Sequence, residues 1–158
     1  MRLTAPGLTL LAAALGAVLG LAACSSSGST HTSAPALQSY SCCSSEDINA
    51  VRHPGETVRL HWMATPAGPG SHGPVSTVRL NATLSGPFAS VSTLKAANGP
   101  PTVSAPLVIT TDQLGQTPVS VLVIPADAGA GYYNLTTTID ADGGHVSGGS
   151  VIQVSAAD

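Results

Sequence analysis

Charge is scarce in this chain. Of its 158 residues only 8% are Asp, Glu, Lys or Arg, and Lys95 is the single lysine. Nucleic-acid binding rests on clustered Lys and Arg that displace counterions from phosphates. Here Arg52, Arg59, Arg79 and Lys95 are scattered and the formal net charge is −3, so no nucleic-acid partner is expected. Long apolar runs are also missing beyond residue 24, where no stretch approaches the roughly 18 consecutive apolar residues of a spanning helix. Signatures of catalysis are absent too. There is no G-x-S-x-G elbow, no H-E-x-x-H pair and no glycine loop placed to cradle a phosphate; "GPGSHG" (68–73) is too interrupted by proline for that role. The acids fall at turns and strand ends, where they ordinarily cap or meet solvent. The expectation is a protein that is not an enzyme and holds no cofactor.

What is present begins at the N-terminus. Arg2 precedes an uninterrupted Leu/Ala/Gly/Val run from Leu8 to Ala23, the layout of a secretory signal. The run ends in Leu21-Ala22-Ala23-Cys24, and all of these positions fit the pattern [LVI]-[AST]-[GA]-C. This resembles the lipobox of bacterial lipoproteins. The resemblance implies that the Cys24 thiol is diacylglycerated and that the signal, residues 1–23, is cut just before it. It implies a cell-membrane location on the extracytoplasmic face, with the membrane reached through the lipid on Cys24. Acyl chains contribute roughly 0.8 kcal/mol per buried methylene, and two or more make attachment stable.

After Cys24 the chain turns to "SSSGSTHTSAPALQS" (25–39), which has no apolar periodicity and the small polar composition of flexible linkers. A coil of about 15 residues reaches roughly 20 Å. Residues 24–45 are therefore read as a tether. Within it Cys42 and Cys43 are adjacent, and with Cys24 carrying lipid they are the cysteines left to pair. In an oxidising compartment free thiols do not persist. A vicinal disulfide, a bridge to another chain and thiolate ligation of a metal are all open.

From residue 46 to 158 the pattern is that of an all-β domain. "TVRLHWMAT" (57–65) alternates, with Val58, Leu60, Trp62 and Ala64 on one face and Arg59, His61 and Met63 on the other. "TVRLNATLS" (77–85) repeats the scheme with Val78, Leu80, Ala82 and Leu84 facing in. "FASVSTL" (88–94) reads as a weaker strand at an edge, "PLVIT" (106–110) as a further strand, and "PVSVLVI" (118–124) as a strand with Val119, Val121 and Val123 inward. "GYYNLTTTID" (131–140) places Tyr133, Leu135, Thr137 and Ile139 on one face. "ADGG" (141–144) is a turn, and "HVSGGSVIQV" (145–154) returns with a bulge expected at its Gly-Gly pair.

Seven or so short strands separated by turn signals indicate an antiparallel β-sandwich. The stretch "DAGAGYYNL" (127–135) resembles the entry to strand F of immunoglobulin-like domains. That resemblance implies an immunoglobulin-like β-sandwich in which Tyr133 bonds back to the preceding loop.

Two functional readings follow. His61 and Met63 lie two residues apart on one strand and project from the same outward face. Imidazole with thioether is a soft donor set suited to copper, and Cys42 and Cys43 could join it. The copper reading takes these four residues as its site. The other reading is a non-enzymatic binding or structural module, whose partner is an envelope protein or polymer met through polar strand faces such as Asn134, Thr136 and Thr138, or through strand addition at an edge. This second reading is preferred, because an exposed His-x-Met pair is ordinary surface on a strand whose other face builds the core. "DADGG" (140–144) fits a hairpin turn better than a calcium loop, which needs a later acidic ligand.

Overall fold

The computed structural model describes residues 34–97 and 99–156. Cys24, the expected signal (1–23) and most of the serine-rich stretch lie outside them. Among the described residues no helix is long and apolar enough to cross a membrane.

The architecture is an all-β antiparallel sandwich. In chain order it comprises β1 (Gln38–Ser41), α1 (Ser45–Asn49), β2 (Thr57–His61), β3 (Met63–Pro66), β4 (Thr77–Phe88), α2 (Val91–Ala96), β5 (Val103–Ser104), β6 (Val108–Thr111), β7 (Val119–Val123), β8 (Gly131–Ala141) and β9 (Gly144–Val154). The larger sheet runs β5-β4-β8-β9, with β6 also on β4. Facing it are two antiparallel ladders, β1–β3 and β2–β7. β1 starts inside the stretch expected to be tether, with Gln38 already buried, so the folded unit begins before residue 46.

The alternation of β4 holds as expected: Val78, Leu80, Ala82 and Leu84 are all buried. So does that of β8, where Tyr133, Leu135 and Thr137 face in and Ile139 packs beside them. The core forms two clusters. One joins Val58, Leu60 and Leu122 to Leu84, Leu135 and Ile152, and we call its end of the sandwich the corner half. The other joins Tyr40, Trp62, Val78 and Leu80 near the β8–β9 turn, and we call its end the hairpin half.

The corner itself follows the immunoglobulin-like expectation. Tyr133 Oη donates to the carbonyl of Gly129 at 2.9 Å. Burial raises the pKa of this phenol above its ordinary value, helped by the nearby Asp127 carboxylate. The ring fits because Gly86, at φ 149°, has no Cβ; one placed there would come within 2.8 Å of Tyr133 Cδ1.

Several expectations are corrected. The run 57–65 is two strands, because its partner changes at Trp62. The Trp62 N–H donates to Pro118 O, and Pro118 has no N–H with which to extend the β7 ladder. Beyond that point Met63–Pro66 pairs with β1, and Ala64 is exposed rather than inward. Residues 88–94 do not form a strand. Ser90 Oγ accepts the Thr93 N–H while Thr93 Oγ1 accepts the Ser90 N–H, a reciprocal cap that starts α2 instead.

The face of β7 is also reversed. Ser120, Leu122 and Ile124 are buried, while Val121 and Val123 are exposed. This run is apolar on both alternations, so periodicity could not choose between them. The observed face lets Ser120 supply an acceptor at 2.9 Å for the buried Trp62 indole N–H. Finally, Gly148 and Gly149 pair in unbroken register with Thr137 and Thr136, without the expected bulge. A register shift lies instead between Ser85 and Phe88, at Gly86-Pro87.

Candidate functional site

The residues singled out for metal binding fall around the junction of the two core clusters. Cys42 and Cys43 are bonded to each other as a vicinal disulfide, directly after β1. Cys43 is buried in the corner cluster, and Cys42 packs against both clusters. Because adjacent residues enclose almost no loop, the bond contributes little by restricting the unfolded chain. Its sulfurs, joined together, are not thiolate ligands in this state.

His61 closes β2 beside this pair, where its carbonyl accepts the Ser44 N–H. Its partner is Asp47 of α1, an acid that the sequence suggested would cap or meet solvent. Asp47 is buried; its Oδ2 accepts the His61 backbone N–H at 2.6 Å, and its Oδ1 lies 3.1 Å from His61 Nδ1. Burial pushes the Asp47 carboxyl up. Hydrogen bonds from the His61 backbone, the His61 ring and Ser44 outweigh that and leave its pKa below the ordinary value.

The ring of His61, 56% exposed, therefore points Nε2 away from Asp47. Met63 lies one residue past the strand break and is exposed. Donors that looked like one row thus divide: His61 Nδ1 goes to Asp47, the thiols go to each other, and the Met63 thioether stands on a different ladder. Among the described residues no three His, Cys, Asp or Glu side chains gather where a metal could sit.

A second feature was not foreseen. In the hairpin half a cleft of about 310 Å³ opens between β1 and the end of the β8–β9 hairpin. Val78, Ile139, Ala141 and Val146 supply its apolar floor, all from the larger sheet. Ser39 and Tyr40 of β1 form a wall, and the Asp112 and Asp142 carboxylates stand at the rim. This size is at the small end of ligand sites, and an apolar lining with few polar groups is their usual chemistry. The wall is set by two hydrogen bonds, Tyr40 Oη to Thr111 O at 2.5 Å and Gln38 Nε2 to Tyr40 Oη at 2.8 Å. The cleft exists because the smaller ladders do not cover the first half of β9. The inward positions of that strand go from buried Ile152 and Val154 to Val146, which is 62% exposed.

The signal that could have found it is weak but present. The inward positions of 145–154, read against 131–140, run Val146, Gly148, Ser150, Ile152 and Val154, and three of them carry enough apolar bulk for a core. The expected polar row is placed less openly than supposed: Asn134, Thr136 and Thr138 are half-buried, with Leu94 of α2 buried against the domain.

No protein-family profile matches the chain, and no curated protein matches it. Among solved structures it is similar to the sporulation control protein Spo0M from Bacillus subtilis, with a TM-score of 0.47 and 15% sequence identity. The similarity covers 77% of this chain and 50% of that one, so this chain matches about half the length of the other.

Proposed function

We propose that this protein is a lipid-anchored module of the bacterial cell envelope. On this reading Cys24 carries the lipid at the extracytoplasmic face of the cell membrane, and the sandwich is a non-enzymatic binding domain for an envelope protein or polymer. The observation that carries the reading is the sequence Leu21-Ala22-Ala23-Cys24, set at the end of one apolar run and followed by small polar residues. That order suits a secreted chain held by acyl groups. The open apolar cleft supports the binding role, since exposed apolar concavities with a polar rim are where partners and ligands are held.

The test is expression of the full chain in a bacterium fed a labelled fatty acid. The reading expects a labelled mature protein beginning at Cys24, and expects Cys24→Ala to lose both label and cleavage at that bond. Label retained by Cys24→Ala, or a wild-type chain left uncut and unlabelled, overturns it.

A further inference from the structure

The wall of the cleft is a strand edge. In the β1–β3 ladder the Leu37 carbonyl accepts the Ala67 N–H, while the Gln38 N–H turns the other way and donates to Asp112 O at 2.7 Å. Hydrogen-bonding direction alternates along an antiparallel strand. Ser39 and Ser41 therefore bond to β3, as Leu37 does. Tyr40, opposite Ala64, turns its own N–H and C=O to the side of Asp112, which is the side of the cleft. Among the described residues no backbone group meets them.

Asp112 and Leu114 pair with this edge at Gln38 and Ala36, and the edge opens only at Tyr40, beside an uncovered apolar floor made by Ile139, Ala141 and Val146. A strand laid along β1 would complete the main-chain bonds of Tyr40 and set one side chain down on that floor. Its charge is indicated as well. The cleft has Asp112 and Asp142 at its rim and no Lys, Arg or His in its lining. Asp112 Oδ1 already accepts the Ser76 N–H, and Asp142 stands at the hairpin turn.

We infer that the cleft binds an extended segment of a partner protein by strand addition to β1. The segment carries a small aliphatic residue for the floor and a Lys or Arg near it for the Asp112/Asp142 rim. This rests on the binding-module reading above and names the class of its partner. Main-chain pairing supplies affinity in such complexes, and the alternate side chains supply selectivity. Opposite charge at the rim adds selectivity and speeds encounter.

The experiment selects random short peptides, displayed as a library, against the full-length protein in detergent. It then measures the winning synthetic peptides by fluorescence anisotropy. The expected winners combine an aliphatic residue with a nearby Lys or Arg. Their affinity should fall by about tenfold or more on Val146→Asp, and on N-methylation of the peptide amide that faces Tyr40. Val123→Asp, an exposed valine elsewhere in the sandwich, should leave affinity unchanged, and far-UV circular dichroism should show both variants folded.

Winners that tolerate Val146→Asp and N-methylation, or a selection that yields none, overturn the inference. So does a dimer of the free protein that Val146→Asp dissociates, since the occupant would then be a second copy. If soluble cell-wall polysaccharide binds instead and ignores Val146→Asp, the strand-addition inference fails while the binding-module reading stands. Fatty-acid label on Cys24→Ala would sink the anchor reading and leave the peptide result untouched.

Discussion

β9 passes through both halves of this sandwich and is treated differently in each. In the corner half its inward residues Ile152 and Val154 are sealed beneath Val58, Leu60 and Leu122. In the hairpin half the same face presents Val146 to solvent. Strand pairing is continuous throughout, so hydrogen bonding to β8 does not distinguish the halves. What differs is the layer above. The β2–β7 ladder covers the corner half, whereas the β1–β3 ladder ends at an open edge beside the cleft. One half is sealed and the other leaves apolar surface open.

Side-chain truncation on β9 should have opposite consequences in the two halves. Ile152→Ala should cost about 2–5 kcal/mol in urea unfolding, as aliphatic truncations in close-packed cores do. Val146→Ala should lie at the other end of the scale, within about 0.5 kcal/mol. Equal costs would show that the hairpin half is covered in solution. The reversed face of β7 makes a parallel pair: Leu122→Ala should resemble Ile152→Ala, and Val123→Ala should resemble Val146→Ala.

Next in size is the bond that ties Trp62 to the opposite strand. Ser120→Ala removes the acceptor of a buried indole N–H and should cost about 1–3 kcal/mol. Adding Trp62→Phe should cost less in that background than in the wild type. Additive costs in the double-mutant cycle would mean the bond contributes nothing.

A smaller effect is expected from Asp47. Its folded pKa lies below the unfolded value, so its contribution is fully present above the ordinary carboxylate range, about pH 4. That contribution is lost as pH falls through the folded value. Glu56 acts in the same direction: burial raises its pKa, and the Arg52 guanidinium and the His53 N–H lower it further than that. Asp47→Asn should flatten the acid limb of the stability profile while Glu56 leaves part of it. An unchanged acid limb would show that the contact with His61 does not matter to folding.

Much of this architecture was legible in the residues. β4 and β8 alternate so strictly that sheet and face follow from them, and Tyr133 marked its own corner four residues beyond Gly129. Elsewhere the local pattern is silent. "PVSVLVI" satisfies both faces, and only the distant Trp62 decides between them. "FASVSTL" has strand-forming residues, yet a reciprocal cap between Ser90 and Thr93 turned it into a helix. His61 and Met63 share a face in any single strand, but the chain changes partner between them. The cleft was hidden for a different reason. It is defined by coverage, and no property of Val146 itself reveals that the layer above stops short.

Backbone amide hydrogen exchange at β1 in the full-length protein reads the open edge itself. Ser39 and Ser41 donate into the β1–β3 ladder and should be protected together, while Tyr40 between them should exchange at least about tenfold faster. A selected peptide should then slow Tyr40 alone of the three. Equal protection of all three amides in the free protein would mean that the edge is already paired, and the open-edged hairpin half would be contradicted.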